Sequence, residues 1–441
     1  MIRGPMRSLV AIASLLLTAA ACTSDATDPQ QLAIRHASAA REIRLATAPA
    51  VRQQTRAEFA ADAQSNADET TAEDYQRQHD TYGRLGFYPR DFDLRGNGGS
   101  SSDFYIAYYS IDTKAVTVVG DPDHSTLVHE LVHALQDQRF DLSRVRPSRL
   151  SSDESLARSA LVEGDARMAE YRDLLRDRGQ EVENTLNDFV TLAKAYDDAG
   201  TIFRTTKLPL IFAAHSAFAY SFGSAFVGAN LGIRQGRWSY AAVDALFVAA
   251  DGPKSTQAVL RSGQPVDAIE ETGLGALPFD VATDWSVEAV DRIGEWYTYV
   301  LLYPAPGDKS VLADQLHAWD GDQLLTLRRK DGSTPPSVTS PSAIVWTTIW
   351  EDAASAAYFA EQLASLHHLA AKGDRAAGTN PQVSFVDEED VWLERRDRQV
   401  CFVKNLPQAV AEPLAHAALY TEAERRFEVV RLKNASSRLV H

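Results

Sequence analysis

The chain has 441 residues, 45% of them hydrophobic and 24% charged, with a formal net charge of -16. At about 150 residues per domain that length predicts two or three domains, each able to bury an ordinary core, and the composition excludes a disordered polyanion or a membrane-spanning protein. The acidic balance excludes a general nucleic-acid binder, because such a surface repels phosphate.

In chain order, Arg3 and Arg7 precede an apolar run from Leu9 to Leu17 and the small residues Thr18, Ala19, Ala20 and Ala21. That layout predicts an export signal over residues 1–21; the run is shorter than the about 20 residues of a spanning helix. Small residues ending at Cys22 resemble the lipobox of bacterial lipoproteins, which implies lipidation of that cysteine and a cell-envelope address. Ordinary cleavage after Ala21, giving a periplasmic or secreted protein, is the alternative, since Ala19 stands where lipoboxes usually place leucine. Removing the signal takes away two arginines and no acids, so the mature chain is more acidic still. Residues 22–35, rich in Thr, Ser, Asp and Pro at their start, are expected to form a tether.

From Gln31 to about Asp74 the pattern is helical but weakly amphipathic, and Arg95 to Asp103 is a Gly/Ser-rich loop. Phe104–Tyr109 and Ala115–Val119, aromatic and β-branched around a turn at Asp112, Thr113 and Lys114, predict a β-hairpin. Asp123 or Ser125 caps the following helix, and helices continue to about Gly236. Gly263 to Pro278 reads as a connection. Beyond it, Glu295–Tyr303 and Gln323–Arg328 are expected strands, Asp352–Ala371 a helix, and Val391–Val403 two short strands, an α+β pattern. Trp319, Trp346 and Trp350 are expected core anchors. The predicted domains are 36–278 and a smaller α+β domain over 279–441.

His129-Glu130-Leu131-Val132-His133 carries the chemistry. Two histidines four apart on a helix project from one face and can reach one Zn2+, while Glu130 beside the first can act as a base toward water. Leu127, Val128, Leu131, Val132 and Leu135 form the apolar stripe opposite. With 11 histidines in the chain, chance produces HExxH about once in sixty such sequences, so context must decide. A catalytic zinc needs a third protein ligand, and Glu163, in a second predicted helix after a loop through Pro147, is the candidate. Gly164 beside it would allow close helix approach. Without a metal, Glu163 would be a solvated helix carboxylate.

His129–Gln138, reading HELVHALQDQ, followed by Glu163-Gly164-Asp165-Ala166, resembles the gluzincin type of zinc metallopeptidase, and more closely a group of poorly characterised, often secreted or lipid-anchored bacterial HExxH proteins. The similarity extends to Tyr109–Val119, Tyr220–Val227, Ser255-Thr256-Gln257, Gly294-Glu295-Trp296 and Trp319-Asp320-Gly321-Asp322. Arg261 lies where that group commonly has a histidine, and Arg167 where the thermolysin-like arrangement has an aspartate four residues after the ligand glutamate. The resemblance implies an α+β protein with a mainly helical, zincin-like domain carrying a small hairpin or sheet. It also implies that strand Ala115–Val119 pairs with an extended substrate.

Asp137 and Asp165 are the nearest sequence candidates to receive the outward ring N–H groups of the histidines; helix capping or pairing with Arg139 or Arg167 is the alternative for each. Tyr220, and less so His215, are candidate donors to a tetrahedral intermediate; an aromatic in that apolar stretch can equally be core. His124 precedes the motif as a surface residue. The leading expectation is zinc-dependent peptide-bond hydrolysis outside the cytoplasm, with peptide or protein substrates, Glu130 as base, and no membrane contact beyond a lipid anchor. The alternative is a lipid-anchored binding protein with a structural or vestigial zinc.

Overall fold

The computed structural model describes residues 28–419 apart from 70, 90, 98–105, 149, 181–190, 235–236, 249–251, 263–283, 335–339, 370–382 and 388–390. The export signal, Cys22, the start of the expected tether, most of the Gly/Ser-rich loop and the connection from 263 to 278 lie outside those residues. The protein is α+β and divides into two compact units: residues 28–75 with 91–262, and residues 76–90 with 284–419. The expected division at 278 falls outside the described residues. That residues 76–90 belong to the C-terminal unit was not legible locally, because nothing in a short segment encodes which core it joins.

The first unit opens with α1 (Pro29–Arg41), not with a tether reaching to 35. Asp28 accepts the Gln30 N–H at 3.0 Å, proline holds the first helical position, and Ala33, Ala37 and Ala40 are buried at helical spacing. β1 (Ala50–Gln54), α2 (Arg56–Glu69), α3 (Ala72–Gln78), which leads into the second unit, and the short α4 (Leu94–Asn97) follow. β2 (Ala107–Ser110) and β3 (Ala115–Val119) form the expected hairpin. β1, whose sequence Ala-Val-Arg-Gln-Gln gave no strand signal, runs parallel to β3 on its other side, so the order is β1-β3-β2 with β3 central.

α5 (His124–Phe140) and α7 (Ser152–Asp177), separated by α6 (Leu142–Val145), carry the motif residues. Val128, Leu131, Val132 and Leu135 of α5 pack with Ala33, Ala37 and Ala40 of α1, Val116 and Val118 of β3, and Ala166 and Ala169 of α7. The face expected to be polar is buried too: His129, Glu130, His133, Gln136 and Asp137 are all largely out of solvent. After α8 (Leu192–Thr205), a continuous helical run is formed by α9 (Leu210–Ala217), a π turn (Phe218–Phe222) and α10 (Gly223–Asn230). By length and composition this run could cross a membrane, but 56% of its apolar window is buried within the protein and it packs on α7, which makes it a core helix. A two-stranded ribbon, β4 (Gly232–Arg234) with β5 (Arg237–Ser239), and the short α11 (Ala241–Leu246) and α12 (Thr256–Leu260) complete the unit.

The second unit is a six-stranded antiparallel sheet in the order β6-β7-β8-β11-β10-β9, built from β6 (Trp285–Asp291), β7 (Trp319–Arg329), β8 (Ser342–Trp350), β9 (Val383–Asp387), β10 (Val391–Arg396) and β11 (Gln399–Lys404). β8 is buried along its whole length. Ala343 and Val345 of β8 meet Ala411, Leu414 and Ala415 of α16 (Gln408–Ala418), whereas the rings of Trp346 and Trp350 pack on Phe359 of α15 (Ala353–Leu366). Alternate residues thus serve opposite faces, as a pleated strand requires. Trp319, Trp346 and Trp350 are core residues. One expected strand is a helix. Glu295–Tyr303 lies in α13 (Gly294–Leu302), followed by α14 (Lys309–Leu316). Its aromatic and β-branched content favours a strand, but the Asp322 carboxylate accepts the N–H groups of Ile293 and Gly294 at 2.9 Å each and the Trp346 indole N–H at 2.8 Å, holding a helix start from a neighbouring strand.

Candidate metal centre

The Asp123 carboxylate accepts the Thr126 N–H at 2.8 Å and starts α5, so His129 and His133 emerge one turn apart on the side facing α7. On α7, capped by Ser151, Glu163 is buried opposite them. His129 Nε2, His133 Nε2 and Glu163 Oε2 form a triangle with sides of 3.1, 3.3 and 3.4 Å. A tetrahedral ion held at about 2.0–2.1 Å keeps its ligand atoms about 3.3 Å apart. The three donors therefore have the spacing and the N/N/O chemistry that a divalent cation takes, with one coordination position left over.

The outward ring nitrogens are taken as well. His129 Nδ1 lies 3.2 Å from Glu170 Oε2, and a carboxylate oxygen only accepts, so Nδ1 bears a proton and Nε2 is the nitrogen that would give its lone pair to a cation at the centre. His133 Nδ1 lies 2.9 Å from Gln136 Oε1, while the Gln136 amide nitrogen donates to Val162 O at 3.0 Å and Asp165 Oδ2 at 2.9 Å. Both roles on those nitrogens were assigned elsewhere from the sequence. Asp137 instead accepts from Tyr109 Oη, Lys114 Nζ and the Leu142 N–H at 2.7, 2.6 and 3.1 Å, tying the hairpin to the end of α5. Asp165 reaches His133 only through Gln136, and pairs with Arg41 Nε at 2.7 Å. Glu170, seven residues beyond Glu163 and so on the same helix face, is also bonded to Arg167 at 2.7 Å. Arg167 stands four residues after Glu163, and the carboxylate that meets His129 comes from the next turn. That i, i+7 spacing was the available signal.

Among these side chains burial opposes charging of both imidazoles, yet the carboxylates of Glu163, Glu170 and Glu130 hold His129 above its ordinary range, and Glu163 does the same for His133. Burial would raise Glu163, but His133 and His129 hold it well below the carboxylate range. Glu130 is raised by burial, tempered by the histidines and by the Tyr109 backbone N–H it accepts. Tyr109 lies on β2, one of the two edge strands of the small sheet. The central strand β3 (Ala115–Val119) has both edges occupied and cannot pair with a substrate, as the resemblance had implied; β2 is the strand whose outer edge points at Glu130.

Tyr220, in the π turn, sets its ring 6.0 Å from that of His129. His215, on the same helical run, is depressed to about 4 by burial and by the Arg146 guanidinium, with Glu163 pulling the other way. Burial lowers Arg146 in turn, against the pull of Glu163 and Tyr220. Arg146 was not anticipated; it follows α6 in a loop, where no periodicity points it inward. Gly164 permits a close approach to α10, not between α5 and α7: a Cβ on it would fall on the Gly223 carbonyl, and one on Gly223 would meet Ala160 O. Thr256, in the Ser-Thr-Gln motif, donates through N–H (2.8 Å) and hydroxyl (2.6 Å) to Asp153 at the start of α7, a structural joint.

A family described as a domain of unknown function (DUF8575) matches residues 285–414, which span the second unit from β6 to α16. No curated protein matches the chain, and no solved structure does.

Proposed function

We propose that the first unit is a zincin-like, gluzincin-type domain that hydrolyses peptide bonds outside the cytoplasm, with zinc held by His129, His133 and Glu163. The observation that carries this reading is a ligand triangle of tetrahedral dimensions with Glu130 next to the first ligand on the same helix; three protein ligands leave one position of a tetrahedral ion for water. Zinc, when bound, supplies Lewis-acid polarisation of a carbonyl and a more acidic water. Glu170 and Gln136 orient the imidazoles. Glu130, held by the Tyr109 N–H, takes the proton of the attacking water and returns it to the leaving amine. An extended peptide along the outer edge of β2 lies beside that base, and Tyr220 or His215 donates to the developing oxyanion. Export and an anchor at Cys22 supply the location.

The test is Glu130→Gln, compared with wild type for zinc content, thermal melting and cleavage of a broad peptide library. Zinc and melting should be retained, and hydrolysis should fall about 100- to 10,000-fold. Equal cleavage removes Glu130 from the mechanism. A wild type that binds zinc fully and cleaves nothing favours the lipid-anchored binding protein.

A further inference from the structure

A second group of metal-ligating side chains lies in the same unit, away from the first. His36 on α1, His124 at the start of α5, and Asp173 and Asp177 one turn apart on α7 bring four ligand atoms within 4.8 Å of one another. His36 Nδ1 is 3.0 Å from Asp173 Oδ1, 3.9 Å from Asp177 Oδ1 and 3.2 Å from His124 Nε2, which is itself 3.6 Å from Asp173 Oδ2. The two imidazoles meet edge to face with centroids 4.9 Å apart.

Hydrogen bonding alone accounts poorly for this arrangement. A ring nitrogen carries at most one proton, so if His36 Nδ1 and His124 Nε2 each donate to Asp173, two N–H groups face each other at 3.2 Å and Asp177 Oδ1, 3.9 Å from His36, receives no proton. A cation at the common centre satisfies all four side chains together. The separations bracket the about 3.3 Å between ligands of a tetrahedral ion, and the imidazole pair repeats the spacing of His129 and His133 in the first centre. Imidazole donors favour a transition metal such as zinc over calcium or magnesium.

We propose that His36, His124, Asp173 and Asp177 form a second zinc site, closed by four protein ligands, that clamps α1 onto α5 and α7. Four protein ligands distinguish a structural site from the three-ligand centre with an open position. The clamp matters to the first centre because α1 also carries Arg41, which holds Asp165, which holds Gln136, which holds His133.

The experiment strips the full chain of metal with a chelator, reloads it with zinc chloride, dialyses it, and measures zinc per chain and melting temperature. His36→Asn with Asp177→Asn, both at partly exposed positions, should hold one zinc fewer than wild type and lose part of the zinc-induced rise in melting. His133→Ala, which disables only the first centre, should keep one zinc and still melt higher with zinc than without; adding the two substitutions to it should abolish both. Equal zinc in wild type and the His36→Asn, Asp177→Asn protein would overturn the proposal, as would no zinc in a folded His133→Ala. In either case the cluster is a hydrogen-bonded His–Asp network, whatever the first centre does.

Discussion

Gln136 Oε1 lies 2.9 Å from His133 Nδ1, and both residues belong to one face of α5. Because the Gln136 amide nitrogen is committed to Val162 O and Asp165, its oxygen can only face the ring, and His133 is held as the tautomer whose Nε2 lone pair points at the centre. Glu170 does the same for His129.

Gln136→Leu and Glu170→Ala should therefore each weaken zinc affinity at the first centre by about 10- to 100-fold while leaving all three ligands in place. Competition with a chelating dye measures this. Unchanged affinity in both variants would show that the imidazoles need no such support.

Truncating a ligand is more severe. His129→Ala, His133→Ala or Glu163→Ala should each cost the first centre its zinc, since two protein ligands remain of three. Metal analysis after dialysis decides the matter, and a Glu163→Ala protein with wild-type zinc content would exclude Glu163 as a ligand.

Gly164→Ala adds a methyl group where the Gly223 carbonyl sits, and main chain cannot move aside as a side chain can. Destabilisation of about 1–3 kcal/mol is expected, the range for overpacking a dense core, with a lower melting temperature. A melting temperature equal to wild type would mean that α7 and α10 are less closely packed than described.

In the second unit His367 Nε2 donates to Leu85 O at 3.0 Å, and its Nδ1 lies 3.3 Å from Lys404 Nζ. Burial and the Lys404 charge push the imidazole down to about 3 from its ordinary 6.5. The folded state thus binds the proton less readily than the unfolded state. His367 contributes fully above pH 6.5, and its contribution is lost as pH falls toward 3, at up to about 1.4 kcal/mol per pH unit for one proton. Denaturant melts at pH 7, 6 and 5 should show wild type losing its advantage over His367→Leu as pH falls. Tryptophan fluorescence reports mainly on this unit, which holds every tryptophan but Trp238. A constant difference across that range would exclude the linkage.

Elements whose signal is local could be read from the chain alone. The i, i+4 histidines, Glu130, a helix cap at Asp123 or Ser125, the β2–β3 hairpin and the β10–β11 pair are all written in short spacings, because helix and strand periods repeat every few residues. Glu163 was a candidate from the sequence because a catalytic zinc needs a third protein ligand and a second predicted helix supplied one, but only the structure shows that it is buried and faces the two histidines. Other features depend on partners distant in the chain and emerge only in the fold. β1 is a strand because β3 offers its backbone, and 294–302 is a helix because Asp322 caps it from β7. Arg146 enters the first centre from a loop. His36, 88 residues before His124 and 137 before Asp173, meets both because α1 packs across α5 and α7. A side chain's chemistry is local, but the company it keeps is set by how apolar faces stack, and no spacing along one helix encodes which other helix will cover it.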